Sequence, residues 1–194
     1  EQGEDSMTKQ LQGLLTAALL GGMMSVANAA SVSLMPASVD AVEGGSIAID
    51  VVIDFSDDPT LGGGIDINWD SAVLAFDSWS YDSSTVGDDV GFRNDGVPGD
   101  GSYIGQAVGN FNGLTTGTIG TITLVAVAAG DTMVSVGDTT NAAVGPWVSA
   151  VTFGVQNPEY SGANVTVNAA IPLPAAAWLM FGGLGALLGF RRKA

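Results

Sequence analysis

Apolar and polar positions alternate with a period of two along most of the chain between residues 31 and 167. The segment SIAIDVVIDF, residues 46–55, shows this most clearly, because its apolar side chains share one face, at Ile47, Ile49, Val51, Ile53 and Phe55. Asp50 and Asp54 fall on the other face. Successive side chains of an extended backbone point to opposite sides, so the segment is predicted to be a strand with one buried face.

The segment GIDINWD, residues 64–70, repeats the alternation. Ile65, Ile67 and Trp69 are predicted to face inward, and Asp66 and Asn68 to face solvent. Phe76, in a later run of the same kind, is also expected in the core.

Six further runs have strand character, at residues 73–81, 103–108, 120–129, 132–136, 148–153 and 163–167. Turn-forming residues separate the runs, notably Asp-Asp-Pro at 57–59, three glycines at 62–64 and Asn-Asp-Gly at 94–96. No helical period is visible between residues 31 and 167. The pattern predicts an all-β fold, an antiparallel β-sandwich of the jelly-roll kind spanning residues 30–168.

Residues 7–29 have the composition of a secretory signal peptide. A short region with Lys9 precedes an apolar stretch, and Ala27-Asn28-Ala29 forms an A-x-A cleavage site. We expect signal peptidase to cut there and to release a mature chain that begins near Ala30. An uncleaved amphipathic anchor is the alternative. Residues 1–6 look like a non-native or mis-annotated leader and take no part in the fold prediction.

The other end of the chain, residues 169–194, is predicted to be a membrane-directed tail. Sixteen residues, 175–190, contain no charge and would span about 24 Å as a helix. Arg191, Arg192 and Lys193 follow directly. Basic residues stay on the cytoplasmic side of a membrane, so the sandwich would lie outside.

The tail resembles a PEP-CTERM sorting signal, in which a short proline motif, an apolar helix and a terminal basic cluster follow one another. Pro172-Leu173-Pro174 stands at the motif position in the "PLP" form, and the helix opens with AAAWL, which includes Trp178. The resemblance implies recognition by an exosortase and export to the surface or surroundings of a Gram-negative cell. A plain, uncleaved membrane anchor is the alternative.

Composition excludes several kinds of chemistry. The chain has neither cysteine nor histidine, which removes Ser-His-Asp and Cys-His catalysis as well as thiolate and imidazole metal sites. Between residues 30 and 170, 17 acidic residues stand against one basic residue, Arg93. So acidic a body repels phosphate groups, so no nucleic acid partner is expected.

Four aspartates in a glycine-rich stretch are candidates for calcium ligands, namely Asp88, Asp89, Asp95 and Asp100. Their spacing does not fit an EF-hand loop, so solvated turn residues are the simpler interpretation. Paired carboxylates also serve glycosidases, but 17 acids supply pairs by chance, and no cofactor or enzymatic activity is predicted.

Trp79, Tyr81 and Trp147 are candidates for a sugar-binding platform, because exposed rings stack on the CH faces of sugars. Trp79 and Tyr81 alternate with Ser78 and Ser80, so one face of their strand is aromatic. The competing interpretation is that this face packs against the second sheet.

Three segments in order resemble a cohesin-like domain, and together they span most of the body: VSLMPASVDAVEGGSIAIDVVID at 32–54, LGGGIDINWDSAVLAFDSW at 61–79 and GTIGTITLVAVAAGDTMVSV at 117–136. The resemblance implies a β-sandwich that binds through one sheet face, as cohesins bind dockerins, and it transfers no particular binding residue. We therefore expect a non-enzymatic exported surface or matrix protein. Its partner would be either exopolysaccharide or a dockerin-bearing protein.

Overall fold

The computed structural model describes residues 30–86 and 94–171. This part of the chain forms one helical turn, α1 (Ser83–Val86), and twelve strands. The strands are β1 (Ser31–Met35), β2 (Ser38–Val42), β3 (Ser46–Asp54), β4 (Thr60–Asn68), β5 (Leu74–Tyr81), β6 (Asn94–Gly99), β7 (Ser102–Leu114), β8 (Thr116–Ala126), β9 (Gly130–Asp138), β10 (Val148–Ser149), β11 (Glu159–Ser161) and β12 (Ala163–Asn168).

The strands form two sheets. The five-stranded sheet has the order β11-β1-β3-β8-β5, and the seven-stranded sheet has the order β2-β12-β9-β4-β7-β6 with β10 alongside β4. The predicted β-sandwich is confirmed. A wholly antiparallel arrangement is wrong for two pairs, because β11 runs parallel to β1 and β12 runs parallel to β2. The first two strands enter different sheets, and the last two strands run beside them in the same direction.

The core lies between the sheets, where alternation predicted it. The five apolar residues of β3 and its end, Ile47 to Phe55, are buried, as are Ile65, Ile67 and Trp69. Phe76 packs against this core and is partly buried. All the fully buried apolar side chains of the described residues lie between Val32 and Val167, so this segment contains a hydrophobic core of its own.

The glycines at 62–64 are part of β4 and do not form the predicted turn. These glycines let neighbouring groups approach the β4 backbone closely. A Cβ at Gly62 would strike the Val108 carbonyl on β7, and a Cβ at Gly63 would lie 2.6 Å from the Trp147 ring. Asn94, Asp95 and Gly96 likewise belong to a strand, β6. The predicted strand at 148–153 ends after Ser149, because the chain turns back on itself there.

The predicted signal segment, with Ala27 and Ala29, and the tail from Pro172 onward, with Trp178 and the three terminal basic residues, lie outside the described residues. Within the described ranges, no helix is long and apolar enough to cross a membrane.

Candidate functional site

A groove of about 530 Å³ lies on the outer face of the seven-stranded sheet. Glycines of two neighbouring strands line it, Gly62 and Gly63 from β4 and Gly109 from β7. Ala143 and Pro146, which follow β9, also line the groove. None of its lining residues is charged, which sets it apart in so acidic a body.

Phe111 borders the groove on a bulge of β7. Gly62 pairs with Gly109, and Thr60 pairs with Leu114. Between these two pairs β4 has one residue and β7 has four, residues 110–113, so β7 bulges there. The Phe111 side chain at this bulge is 73% exposed. It is the large aromatic side chain that the groove offers to a partner.

One wall of the groove comes from the crossing loop, residues 139–147, which connects β9 to β10 across the outer face of β4. Its anchor is Asp66, a β4 side chain only 4% exposed. Oδ1 of Asp66 accepts hydrogen bonds from the Gly105 amide and the Thr139 hydroxyl, each 2.8 Å long. Oδ2 accepts from the Thr140 amide at 2.8 Å and the Thr140 hydroxyl at 2.7 Å.

Hydrogen bonding determines the ionisation of Asp66. Burial alone would raise the pKa of this carboxyl, but the bonds from Thr140, Gly105 and Thr139 outweigh it and hold the pKa below its usual value. The prediction that Asp66 faces solvent is wrong. It does point away from the core, as the alternation requires, but the crossing loop covers it.

Trp147 is the last residue of the crossing loop, and its side chain points into the core. Its side chain is fully buried, with its ring centroid 5.0 Å from that of Phe55. Gly63 leaves the room for this ring. Trp147 is therefore a core residue, and its prediction as an exposed sugar-binding aromatic is wrong.

Trp79 and Tyr81 belong to an aromatic cluster that joins the two sheets. Trp79 lies 5.7 Å from Tyr81 and 5.9 Å from Tyr103 on β7, measured between ring centroids. The Tyr81 hydroxyl donates to the Asn94 carbonyl at 2.7 Å, and Nε2 of Gln106 donates to the same hydroxyl at 2.5 Å. Trp79 and Tyr81 are both partly buried, so their face of β5 packs against the second sheet, as the competing interpretation holds.

The same cluster affects the acidity of Tyr103. Burial and the nearby negative charge of Asp95 raise the pKa of this phenol to about 12. Tyr103 therefore stays neutral at physiological pH and acts as a packing residue between the sheets.

The candidate calcium ligands do not converge in the described part of the chain. Asp95 lies on β6, and Asp100 follows in the turn to β7. No three acidic residues among residues 30–86 and 94–171 are grouped closely enough to hold a metal ion. Asp88 and Asp89 lie outside these ranges.

The outer face of the five-stranded sheet has a different character. Polar side chains on this sheet bond to one another, as in the 2.6 Å bond from the Thr121 hydroxyl to Asp50. Ser33 similarly donates to the Val52 carbonyl. The seven-stranded face, with its apolar groove, is the better candidate for binding.

Sequence analysis did not select Phe111 among its sugar-binding candidates, and it missed the crossing loop as part of a site. One signal was available: the body contains two long stretches without a charged side chain, residues 101–130, which include Phe111, and residues 139–158. The second stretch supplies the crossing loop, β10 and an exposed turn beyond it.

No protein-family profile matches the chain, and no curated protein matches it in sequence. Solved structures do match. The seventh ScaB type I cohesin from Pseudobacteroides cellulosolvens has a TM-score of 0.60 at 14% identity, over 75% of this chain and 96% of the cohesin. The sixth cohesin of scaffoldin B from Acetivibrio cellulolyticus, solved with a Cel5 dockerin mutant, has a TM-score of 0.58 at 14% identity, over 73% and 100% of the two chains.

A type I cohesin–dockerin complex from Clostridium thermocellum gives a TM-score of 0.57 at 12% identity, over 73% of this chain and 95% of the other. Each match spans nearly the whole of the matched cohesin. The chain therefore has the cohesin-like β-sandwich fold that its sequence motifs predicted.

Proposed function

We propose that this chain is a non-enzymatic protein-binding module that docks its partner on the outer face of the seven-stranded sheet. The observation that carries the proposal is the uncharged groove, bordered by the exposed ring of Phe111 on a rigid sheet. Apolar, preorganised surfaces with an exposed aromatic side chain are typical of protein interfaces. The cohesins in complex with dockerins add support by analogy of fold.

A photocrosslinking amino acid tests this function in the intact protein. Placed at Ala143 in the groove wall, it is expected to capture a protein partner in the native host, which mass spectrometry identifies. The matched control places the same group at Ser80, an exposed residue of β5 in the other sheet. Equal capture at both positions, or no protein adduct at Ala143, contradicts docking in the groove.

Export is the second half of the proposal. We expect signal peptidase to remove residues 7–29 and an exosortase to process the tail at Pro172-Leu173-Pro174, leaving the module at the cell surface or in the matrix. The charge-free stretch 175–190 and the basic residues after it support this. Mass spectrometry of both termini, on protein from separated cells and medium, tests it. An intact Ala194 in the membrane fraction would argue for a simple anchor.

Exopolysaccharide is the second candidate partner, and Phe111 is the observation that favours it. The groove is lined by this exposed ring and by Asn94, and an aromatic ring with an amide side chain can stack on and hydrogen-bond to a sugar. Affinity electrophoresis in host polysaccharide tests this: retardation that Phe111→Ser abolishes would favour the sugar over a protein partner.

A further inference from the structure

The turn that follows β10 projects apolar side chains into solvent. We call residues 151–155 the apolar tip. Val151 is 68% exposed, Phe153 73% and Val155 62%. Three large apolar side chains exposed within five residues exceed the scattered single ones that ordinary surfaces show.

The apolar tip is held rigidly. Ser149, itself buried, donates its hydroxyl to Asp58 at 2.7 Å and accepts bonds from the amides of Val151 and Thr152 at 3.1 and 3.0 Å. The amide of Ala150 donates to the Pro59 carbonyl at 2.7 Å. Phe153 has a φ of 56°, a left-handed conformation that aromatic residues rarely adopt. A surrounding structure that enforces such a conformation on an exposed ring is preorganised for contact.

The apolar tip and the groove are neighbours on one surface. Val148 lines the groove and pairs across an antiparallel bridge with Val155 of the tip. Side chains directly opposite in such a pair lie on the same side. One copy of the chain therefore presents a projecting apolar knob beside an apolar groove, and neither contains a charge.

We propose that the groove accepts the apolar tip of a second copy of this chain, and that two copies exchange tips reciprocally. This inference rests on the proposed function and names the partner that occupies its groove. Because Val148 of the groove pairs with Val155 of the tip, a two-fold axis near that pair places each tip in the other copy's groove. Such an interface is self-complementary and closes as a dimer.

The uncharged lining of the groove favours an uncharged segment, such as the tip of a second copy, over a basic segment. The groove and the tip have no carboxylate with which a basic rim could pair. Two copies, each strongly acidic, repel one another, and this repulsion is least across an uncharged surface. Residues 139–158 and the groove floor provide that surface.

Crosslinking tests the arrangement, and the absence of cysteine makes the full chain a clean background. Val151→Cys and Ala143→Cys chains, purified separately and mixed, are treated with a short bismaleimide. We expect the mixture to give at least five times more crosslinked dimer than either variant alone. The matched control replaces Ala143→Cys with Met133→Cys, at an exposed residue of β9 outside the groove lining, and should give no increase. Equal crosslinking of Val151→Cys alone would indicate tip-to-tip contact and overturn the proposal.

Sedimentation equilibrium gives the second measurement. The dimer dissociation constant should rise at least tenfold in Phe153→Ser and stay within twofold in Met133→Ser. Raising the salt concentration should tighten the dimer, because salt screens repulsion between acidic copies. A monomer at all concentrations overturns the exchange of tips.

The two proposals can fail separately. If the chain is monomeric but the photocrosslinker at Ala143 still captures another protein, the docking function stands and only its assigned partner is wrong. If the photocrosslinker at Ala143 captures nothing, both proposals are wrong.

Discussion

Asp66 and Thr140 are 74 residues apart in the chain, but two hydrogen bonds of 2.8 and 2.7 Å join the Thr140 amide and hydroxyl to one oxygen of the Asp66 carboxylate. With Thr139 and Gly105 on the other oxygen, this contact holds the crossing loop against the sheet. The wall of the groove therefore depends on one buried carboxylate, whose hydrogen-bond donors lie 39 to 74 residues away in the sequence.

Replacement of Asp66 is expected to destabilise the protein. In Asp66→Asn, the side-chain NH₂ would face the backbone amide of either Thr140 or Gly105, and neither of these donors can turn to accept from it. Leaving such donors buried without an acceptor costs about 2–3 kcal/mol of unfolding free energy. Urea unfolding measures the change. Asp40→Asn, on an exposed position of β2, is the control and should change it by less than about 0.5 kcal/mol. A comparable loss in both variants would show that Asp66 has no special role.

The same carboxylate predicts a pH dependence. The pKa of Asp66 is lowered in the folded state, so its contribution to stability is present above the ordinary aspartate value, about 3.9. That contribution is lost as the pH falls below about 4 and the folded carboxylate takes up its proton. The difference in unfolding free energy between wild type and Asp66→Asn should therefore be constant from pH 7 to about 5 and shrink in more acid solution. A constant difference down to pH 2 would contradict this assignment.

Gly63 is expected to tolerate no side chain. A Cβ there would lie 2.6 Å from Cδ2 and 2.7 Å from Cα of Trp147, so Gly63→Ala should push the buried ring away and cost about 2–3 kcal/mol. Trp fluorescence during urea unfolding follows both effects. Gly137→Ala is the matched control, because no atom lies within 4 Å of its Cβ position. Equal stability of the two variants would mean that the close approach of Gly63 and Trp147 is unimportant.

Local patterns were enough for the strands but not for the site. The alternation in β3 identifies its buried face, because period-two burial is a property of the strand itself. It also shows correctly that Asp66 points away from the core. What covers Asp66 comes from a loop 74 residues later, and no local pattern contains that information. The prediction that Trp147 is an exposed sugar-binding residue failed for the same reason, because the space that its ring fills is left by Gly63 on another strand.

Replacement of Trp79 distinguishes a packing role for this ring from a sugar-binding role. The ring contacts Tyr81 and Tyr103, and Gly120 leaves space for it. Trp79→Ala should therefore lower the unfolding free energy by about 2–3 kcal/mol, somewhat less than for a fully buried tryptophan. A binding platform would behave differently: the variant would keep its stability and lose retardation in polysaccharide gels. Urea unfolding and affinity electrophoresis on the same preparation distinguish the two.

Ser149 connects the stability of the fold to the shape of the apolar tip. Its hydroxyl both donates to Asp58 and accepts from two tip amides, so Ser149→Ala leaves the amides of Val151 and Thr152 without their acceptor. We expect a loss of about 1–2 kcal/mol in unfolding free energy and faster hydrogen exchange at those two amides. Because Phe153 is retained, weaker self-association in this variant would show that the tip must be rigid as well as apolar. Unchanged exchange at Val151 and Thr152 would mean that Ser149 does not hold the tip.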